Sequence, residues 1–203
     1  MSSERFRAAI AAIDSANSAD PNSLTVNGVT RPNELTHAEM MTNWVTVLGG
    51  GEPSEALLLA ARAHHIRRWE MPRSSYPEGR GGYLRWRIDL HDIHANHAAT
   101  ILRDAGYDEE TVERVKTLIH KRGLGKDAEV QVLEDALCLV FLETQFDELS
   151  GRLAGPKIAE IIRKTWRKMS EQGQARALEV VTPAQRTVLQ AALAGNQQES
   201  GTA

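Results

Sequence analysis

Histidines on three predicted helices are the main candidates for chemistry in this 203-residue chain. His37 lies in the middle of an apolar stripe, His64 lies on the apolar side of the next helix, and His94 marks the centre of a third buried face. A single inward histidine is often a hydrogen-bonded core residue. Because three helices each direct one inward, the pattern favours a shared centre that can bind a transition-metal ion.

An aspartate on the most apolar predicted helix is the candidate acidic partner of this centre. Asp135 shares a face with Leu139 and Leu142, where an unpaired carboxylate is costly to bury. Either an arginine neutralises it in a structural ion pair, or a cation bound with the histidines does so. Glu134 and Glu143 compete for the same role.

His120 is a further candidate ligand, at the C-terminal end of another predicted helix. Its position lies off the apolar stripe of that helix, but helical phase is least regular in a last turn. A favourable interaction between a histidine cation and the helix dipole is the alternative explanation. The sequence leaves both roles open.

Helices must position these side chains, because apolar residues recur at helical spacing through most of the chain. The pattern predicts helices over about 3–16, 33–48, 53–69, 83–105, 109–121, 127–149, 156–170 and 183–193. A serine start signal near Ser3 begins the first, Asn33 caps the second, Pro53 and Ser54 open the third, and Asp108 starts the fifth. Asn27-Gly28 between two β-branched runs predicts a short type I′ hairpin near residues 23–31. We therefore expect an all-α fold, a compact multi-helix bundle with one short β-hairpin.

Length and composition favour one globular domain. Apolar residues make up 41% and charged residues 25%, and the net charge of -3 argues against a protein that coats nucleic acid. The single cysteine, Cys138, cannot form an internal disulfide, and no window has the apolar length of a membrane span. We expect a cytoplasmic helical domain over residues 1–194 and a disordered tail over 195–203, while self-association stays open.

The segment from Arg67 to Arg87 concentrates positive charge and aromatic rings beside the predicted histidine centre. It holds six arginines against two glutamates, a local charge of +4. Guanidinium groups suit bidentate phosphate binding and aromatic rings stack on bases, so the segment favours a nucleotide- or RNA-facing loop. Solvated arginines, with aromatics that anchor the loop to the core, are the alternative. The candidate phosphate-binding residues are Arg67, Arg68, Arg73 and Arg87.

The order of these residues resembles the His-Asp (HD) superfamily of metal-dependent phosphohydrolases, with an HD-like core over about residues 34–150. His94-Ala95-Asn96-His97 looks like the family's middle section, and Leu133-Glu134-Asp135-Ala136 looks like its last ligand helix. The chain departs from the pattern at His64-His65, where the family has His-Asp. A neutral imidazole carries no charge, so this departure argues against a dinuclear centre.

The resemblance implies a divalent transition metal, which can be iron, manganese, zinc or nickel. It implies metal ligands at His37, His64, His65, His94, His120 and Asp135. It assigns no further catalytic residue. The chain is also similar to an uncharacterised bacterial family with an Arg-Trp-Glu and Tyr-Leu-Arg-Trp-Arg signature, here Arg68-Trp69-Glu70 and Tyr83 to Arg87, and that likeness implies no activity.

Three functions remain open from the sequence. The first is a phosphohydrolase acting on a nucleotide or related phosphoester, with its metal at the histidine centre. The second is a non-catalytic nucleotide- or RNA-binding module on a degenerate HD-like fold, which would use the Arg67 to Arg87 segment and a basic face around Lys164 and Arg167. The third treats the histidines as core residues of a helical scaffold or partner-binding module.

Overall fold

A computed structural model describes residues 3–153 and 155–194 of the chain, and it confirms the all-α prediction. This part contains ten α-helices and one two-stranded antiparallel sheet. The chain divides into two compact units, Met1–Leu133 and Glu134–Ala203. The predicted disorder of residues 195–203 lies outside the described residues, and a single domain over 1–194 stays a prediction.

The first unit holds five complete helices and the hairpin. They are α1 (Glu4–Ser18), β1 (Ser23–Val26), β2 (Val29–Pro32), α2 (Asn33–Leu48), α3 (Glu55–Ala63), α4 (Gly79–Asp104) and α5 (Glu109–Ile119). Two 3-10 turns, Arg68–Glu70 and Arg73–Ser75, lie between α3 and α4. The division between the units falls within α6 (Ala128–Thr144), and the second unit continues with α7 (Phe146–Arg152), α8 (Gly155–Lys168), α9 (Glu171–Val180) and α10 (Pro183–Ala194).

The short-range signals in the sequence are confirmed where they depend on neighbouring residues. The side chains of Ser3, Ser54 and Asp108 each accept a hydrogen bond from a backbone amide of the following helix. Asn27 and Gly28 have φ angles of 50° and 77°, as a type I′ turn requires. These local contacts fix where α1, α3 and α5 begin and how the two strands join.

The predicted cap of α2 is wrong. Asn33 is already helical, and its side chain donates to Glu34 Oε1 instead of capping the helix. The amide of Glu34 donates to the Asp20 carboxylate at 2.9 Å, and that same carboxylate accepts from the Asn22 amide. The start of α2 is therefore stabilised by a residue on the other side of the hairpin.

Helix α3 is the central helix of the first unit and ends earlier than predicted. It packs against α1, α2, α4 and α5. It ends at Ala63 instead of near Trp69, and Arg67 adopts a left-handed conformation with φ of 53°. His64 and His65 consequently lie in the turns that follow the helix, not within it. Its buried residues are Leu57, Leu59, Ala60, Ala61 and Ala63.

The second unit differs from the prediction in two places. The helix expected over 127–149 breaks at Gln145, whose φ of -123° is not helical, so α7 is a separate helix. Helix α9 was not predicted. It is capped by Ser170, whose hydroxyl accepts from the Gly173 amide at 3.1 Å. A short alanine- and glutamine-containing segment gives little periodic signal, and its helix depends on this cap and on tertiary contact.

Among the described glycines of this unit, Gly173 is the one packed against another side chain, and a larger residue there should destabilise the protein. A Cβ at Gly173 would lie 2.6 Å from Cγ of Asp135. We expect Gly173→Ala to lower the free energy of unfolding by about 1–3 kcal/mol, measured by chemical denaturation. Gly151→Ala, in α7, is the matched control, because its added Cβ meets no atom within 4 Å. Equal effects of the two substitutions would contradict the close approach.

Candidate metal centre

The structure brings four histidine rings together inside the first unit, and we call them the histidine cluster: His37, His64, His65 and His94. The ring centroids of His37 and His65 are 4.2 Å apart, those of His64 and His65 are 4.7 Å apart, and those of His65 and His94 are 5.8 Å apart. His37, His64 and His94 are each at most 5% exposed. Helix α2, the turn after α3 and helix α4 thus supply a common site.

Ring nitrogens of the cluster are left without hydrogen bonds in the described part of the chain. His94 Nδ1 lies 2.8 Å from the carbonyl of Ile66, which can only accept, so Nδ1 carries the hydrogen and Nε2 is an unprotonated lone pair. That buried Nε2, Nδ1 of His37 and both ring nitrogens of His64 have no partner there. Buried polar atoms are normally paired, so these nitrogens could accept a bound ion, a water or another ligand.

A carboxylate that the sequence analysis missed completes the cluster. Glu34 lies one turn before His37 on α2, and its buried Oε2 also lacks a hydrogen bond. Burial raises the pKa of Glu34 to about 7, although the positive charge of Arg68 opposes the shift. The Glu34-x-x-His37 spacing, which puts both side chains on one helical face, is the signal that identifies it in the sequence.

Arg68 contacts the cluster from the 3-10 turn. Its Nη1 lies 3.2 Å from Nε2 of His65, and its guanidinium lies over the Trp86 ring at 5.1 Å from the centroid. Arginine only donates, so His65 Nε2 accepts and the hydrogen of the neutral ring lies on Nδ1. That Nδ1 is 3.5 Å from Oε2 of Glu34. Arg68, His65 and Glu34 therefore form a polar chain.

The cluster is an uncharged set of imidazoles at neutral pH. Burial, aided by the charge of Arg68, lowers the pKa of His37 to about 3. Burial likewise lowers the pKa of His94 to about 3, and the pKa values of His64 and His65 fall well below their usual range. Neutral rings retain the lone pairs that a metal ion requires.

Glu34, His37 and His65 are the residues best placed to hold a metal ion. Each offers one ligand atom, and the three atoms lie within 4.8 Å of one another. Metal bonds to nitrogen and oxygen are about 2.1 Å long, so small side-chain rotations would close these atoms around an ion. Two imidazoles with a carboxylate suit zinc, iron, manganese or nickel.

The structure places His120 in a different set of contacts within the first unit. Its Nδ1 lies 2.7 Å from the carbonyl of Lys116, and its Nε2 lies 2.8 Å from the carboxylate of Asp92. Both ring nitrogens of His120 therefore have a protein atom within hydrogen-bond distance. The Lys116 carbonyl lies one turn back along α5, at the C-terminal end of that helix.

Asp135 has protein partners within the second unit. Its carboxylate accepts from the Ser170 amide at 2.9 Å and from the Ser170 hydroxyl. The buried acid expected to need an arginine or a cation is therefore hydrogen-bonded at the start of α9. Neighbouring Glu134 lies 3.4 Å from Nζ of Lys168.

The four arginines predicted to bind phosphate have different environments. Arg67 is exposed and pairs with Glu70 at 3.3 Å. Arg73 donates to the carbonyls of Tyr76 and Pro77, which holds the loop before α4. Arg68 contacts the cluster, and half-buried Arg87 is close enough for its charge to lower the pKa of Arg68. Among these four arginines, Arg68 therefore lies at the cluster and Arg87 lies near Arg68.

Two residues of the basic face predicted on α8 make contacts within the second unit. Lys164 pairs with Glu160 at 2.5 Å, and Arg163 donates to the carbonyl of Ala192 at 3.1 Å. A backbone carbonyl carries no charge, so α8 keeps more basic than acidic side chains, and the basic face around Lys164 and Arg167 stays a prediction.

Comparisons with known proteins identify one family. The model of a family described as a domain of unknown function (DUF4202) matches residues 7–189. No curated protein and no solved structure matches the chain. None of the helices in the described residues is long and apolar enough to cross a bilayer.

Proposed function

This chain belongs to the DUF4202 family, a domain of unknown function, and we propose that it is a metal-dependent phosphohydrolase acting on a nucleotide or related phosphoester. The observation that supports this most is the group of buried ring nitrogens without a hydrogen-bond partner: Nδ1 of His37, both nitrogens of His64 and Nε2 of His94. A helical scaffold without a ligand gains nothing from burying such atoms unpaired, since each costs free energy. The cluster is thus better explained as a ligand set than as core packing.

In this proposal Glu34, His37 and His65 hold the metal ion. A divalent ion there would polarise a phosphate oxygen and lower the pKa of a bound water. His94 is fixed by its hydrogen bond to Ile66 and directs Nε2 into the buried site. A backbone carbonyl behind an imidazole is the usual way in which a metal-binding histidine is oriented.

Descent from the HD superfamily is part of the proposal. His37 and the His64-His65 pair, which carry the resemblance, lie in one cluster. The pattern expects an aspartate where His65 stands, and Glu34, with Oε2 3.5 Å from His65 Nδ1, supplies a carboxylate beside that position. We therefore assign Glu34 as the acidic ligand.

Arg68 and Arg87 are the proposed phosphate-binding residues, and Tyr83 is the proposed platform for a base. Arg87 lies over the Tyr83 ring at 6.0 Å, and Tyr83 is 43% exposed. A guanidinium next to an exposed aromatic ring suits a ligand with a phosphate and a planar base. This arrangement favours nucleotides among the phosphoesters.

The phosphate assignment predicts a specific loss of activity in Arg87→Ala. A hydrogen bond to a charged phosphate contributes about 1.5–3 kcal/mol, so we expect kcat/KM to fall about 10- to 100-fold. The measurement is phosphate release from a nucleotide panel by protein loaded with Zn²⁺ or Mn²⁺, together with metal content. Arg85→Ala, an exposed arginine on α4, is the matched control. Equal losses, or loss of metal with Arg87→Ala, would contradict the assignment.

A non-catalytic nucleotide- or RNA-binding module is the second candidate. It is favoured by the exposed ring of Tyr83, whose centroid lies 5.9 Å from that of half-buried Trp86, because stacking needs no metal. Binding of nucleotides without phosphate release in every metal tested would select this function over hydrolysis.

A further inference from the structure

We infer that Arg68 and a metal ion exclude each other at His65, so that Arg68 sets the metal affinity of the cluster. The inference rests on the proposed metal centre and adds a competing cation from within the chain. Its basis is the contact of Arg68 Nη1 with His65 Nε2 at 3.2 Å. Arg68 thus directly contacts His65, one of the three proposed ligands, which in turn lies beside Glu34.

The exclusion holds whichever nitrogen of His65 binds the ion. An ion bound to Nε2 would use the lone pair that now accepts the hydrogen bond from Arg68. An ion on Nδ1 would leave the hydrogen of the neutral ring on Nε2, where it would face the N–H groups of Arg68. Two N–H donors cannot hydrogen-bond to each other, so both binding modes require the guanidinium of Arg68 to move away from His65.

The positive charge of Arg68, like its hydrogen bond to His65, opposes metal binding. The Glu34 carboxylate is buried, and Arg68 is the cation whose charge favours its ionised form. Like charges at short range inside a protein repel strongly, so a divalent ion beside Glu34 is disfavoured while the guanidinium remains. Arg68 thus serves as the counter-ion of Glu34 until a metal ion replaces it.

The position of Arg68 in the fold allows such a movement. It lies in a three-residue 3-10 turn, after the left-handed Arg67, and not in a long helix. Outside the cluster its guanidinium already contacts the face of Trp86. A planar cation stacked on an aromatic ring keeps part of its stabilisation when one hydrogen bond is lost.

The test is the affinity for Zn²⁺ of Arg68→Met, measured by isothermal titration calorimetry at pH 7.5 against wild type. Methionine keeps an unbranched stem but removes the charge and all donors. Losing a charge-assisted competitor should lower the Kd for Zn²⁺ by at least about tenfold. Arg67→Met is the matched control, because it removes the same charge from the neighbouring exposed side chain. Its Kd should stay within about twofold of wild type, since an exposed charge is screened by solvent.

Unchanged or weaker binding by Arg68→Met, or an equal gain in Arg67→Met, would overturn the inference while leaving the metal centre intact. Absence of Zn²⁺ binding in wild type and both variants would overturn the metal centre and the inference together. Wild-type protein gives a second readout that does not depend on the variant folding. The ¹⁵N resonances of the Arg68 guanidinium should shift when Zn²⁺ is added, and an unchanged resonance in a Zn²⁺-bound protein would also overturn the inference.

Discussion

We expect the His37→Ala variant to lose bound metal almost completely while keeping its helical fold. The ring of His37 stacks on that of His65 with centroids 4.2 Å apart, and His37 supplies one of the three ligand atoms that lie within 4.8 Å of one another. Loss of residues that only orient metal ligands typically costs 10- to 100-fold in affinity, so loss of a ligand should cost about 100-fold or more. The measurement is metal content of the purified variant, with far-ultraviolet circular dichroism as the check on folding.

Two further variants distinguish the proposed ligand set from the set implied by the HD resemblance, which includes His120 and Asp135. His120→Ala removes the contact with Asp92, and Asp135→Ala removes the contact with Ser170. We expect both variants to keep their metal, and Asp135→Ala to lose stability, because it leaves the Ser170 amide without its acceptor. Loss of metal from Asp135→Ala in folded protein would contradict Glu34 as the acidic ligand and support the ligand set implied by the HD resemblance.

Metal affinity should rise with pH, with a midpoint near pH 7. Glu34 has a raised pKa of about 7, so below that value its carboxyl group carries a proton that the metal ion must displace. The pKa of His37 is about 3, so this imidazole does not compete for protons above pH 5. The ionised fraction of Glu34 rises about tenfold between pH 6 and pH 8, and the association constant for Zn²⁺ should rise by the same factor.

Glu34→Gln is the control for this pH dependence. The amide has nearly the same shape but does not titrate near neutrality, so binding should become weaker and nearly independent of pH between 6 and 8. Calorimetric titrations with Zn²⁺ at these pH values provide the comparison. An unaltered pH slope in the variant would show that another group carries the proton, and Glu34 would then not be the acidic ligand.

The sequence predicted those parts of the fold that depend on neighbouring residues. The caps at Ser3, Ser54 and Asp108 and the Asn27-Gly28 turn are all confirmed, since each involves residues within a few positions of one another. The start of α2 was different, because Asp20 stabilises it from 14 residues away. A contact of that kind leaves no mark in local periodicity.

The candidate site was predicted in part for the same reason. Helical phase predicted that His37, His64 and His94 turn inward, and the structure places them together. Phase could not show that α3 ends at Ala63, which brings His65 beside His37 as well. Glu34 was missed because an acidic residue in a first helical turn already has an ordinary explanation in the helix dipole.

The most direct test of the proposed function is the metal content of untagged protein, purified without chelators or added metal and measured by elemental analysis. The Glu34, His37 and His65 centre predicts a near-stoichiometric amount of one transition metal, which a Glu34→Gln and His37→Ala double variant should lack. A wild-type protein that contains no metal, and that takes up none on titration with Zn²⁺, Mn²⁺, Fe²⁺ or Ni²⁺, would contradict the metal centre and favour the nucleotide- or RNA-binding module.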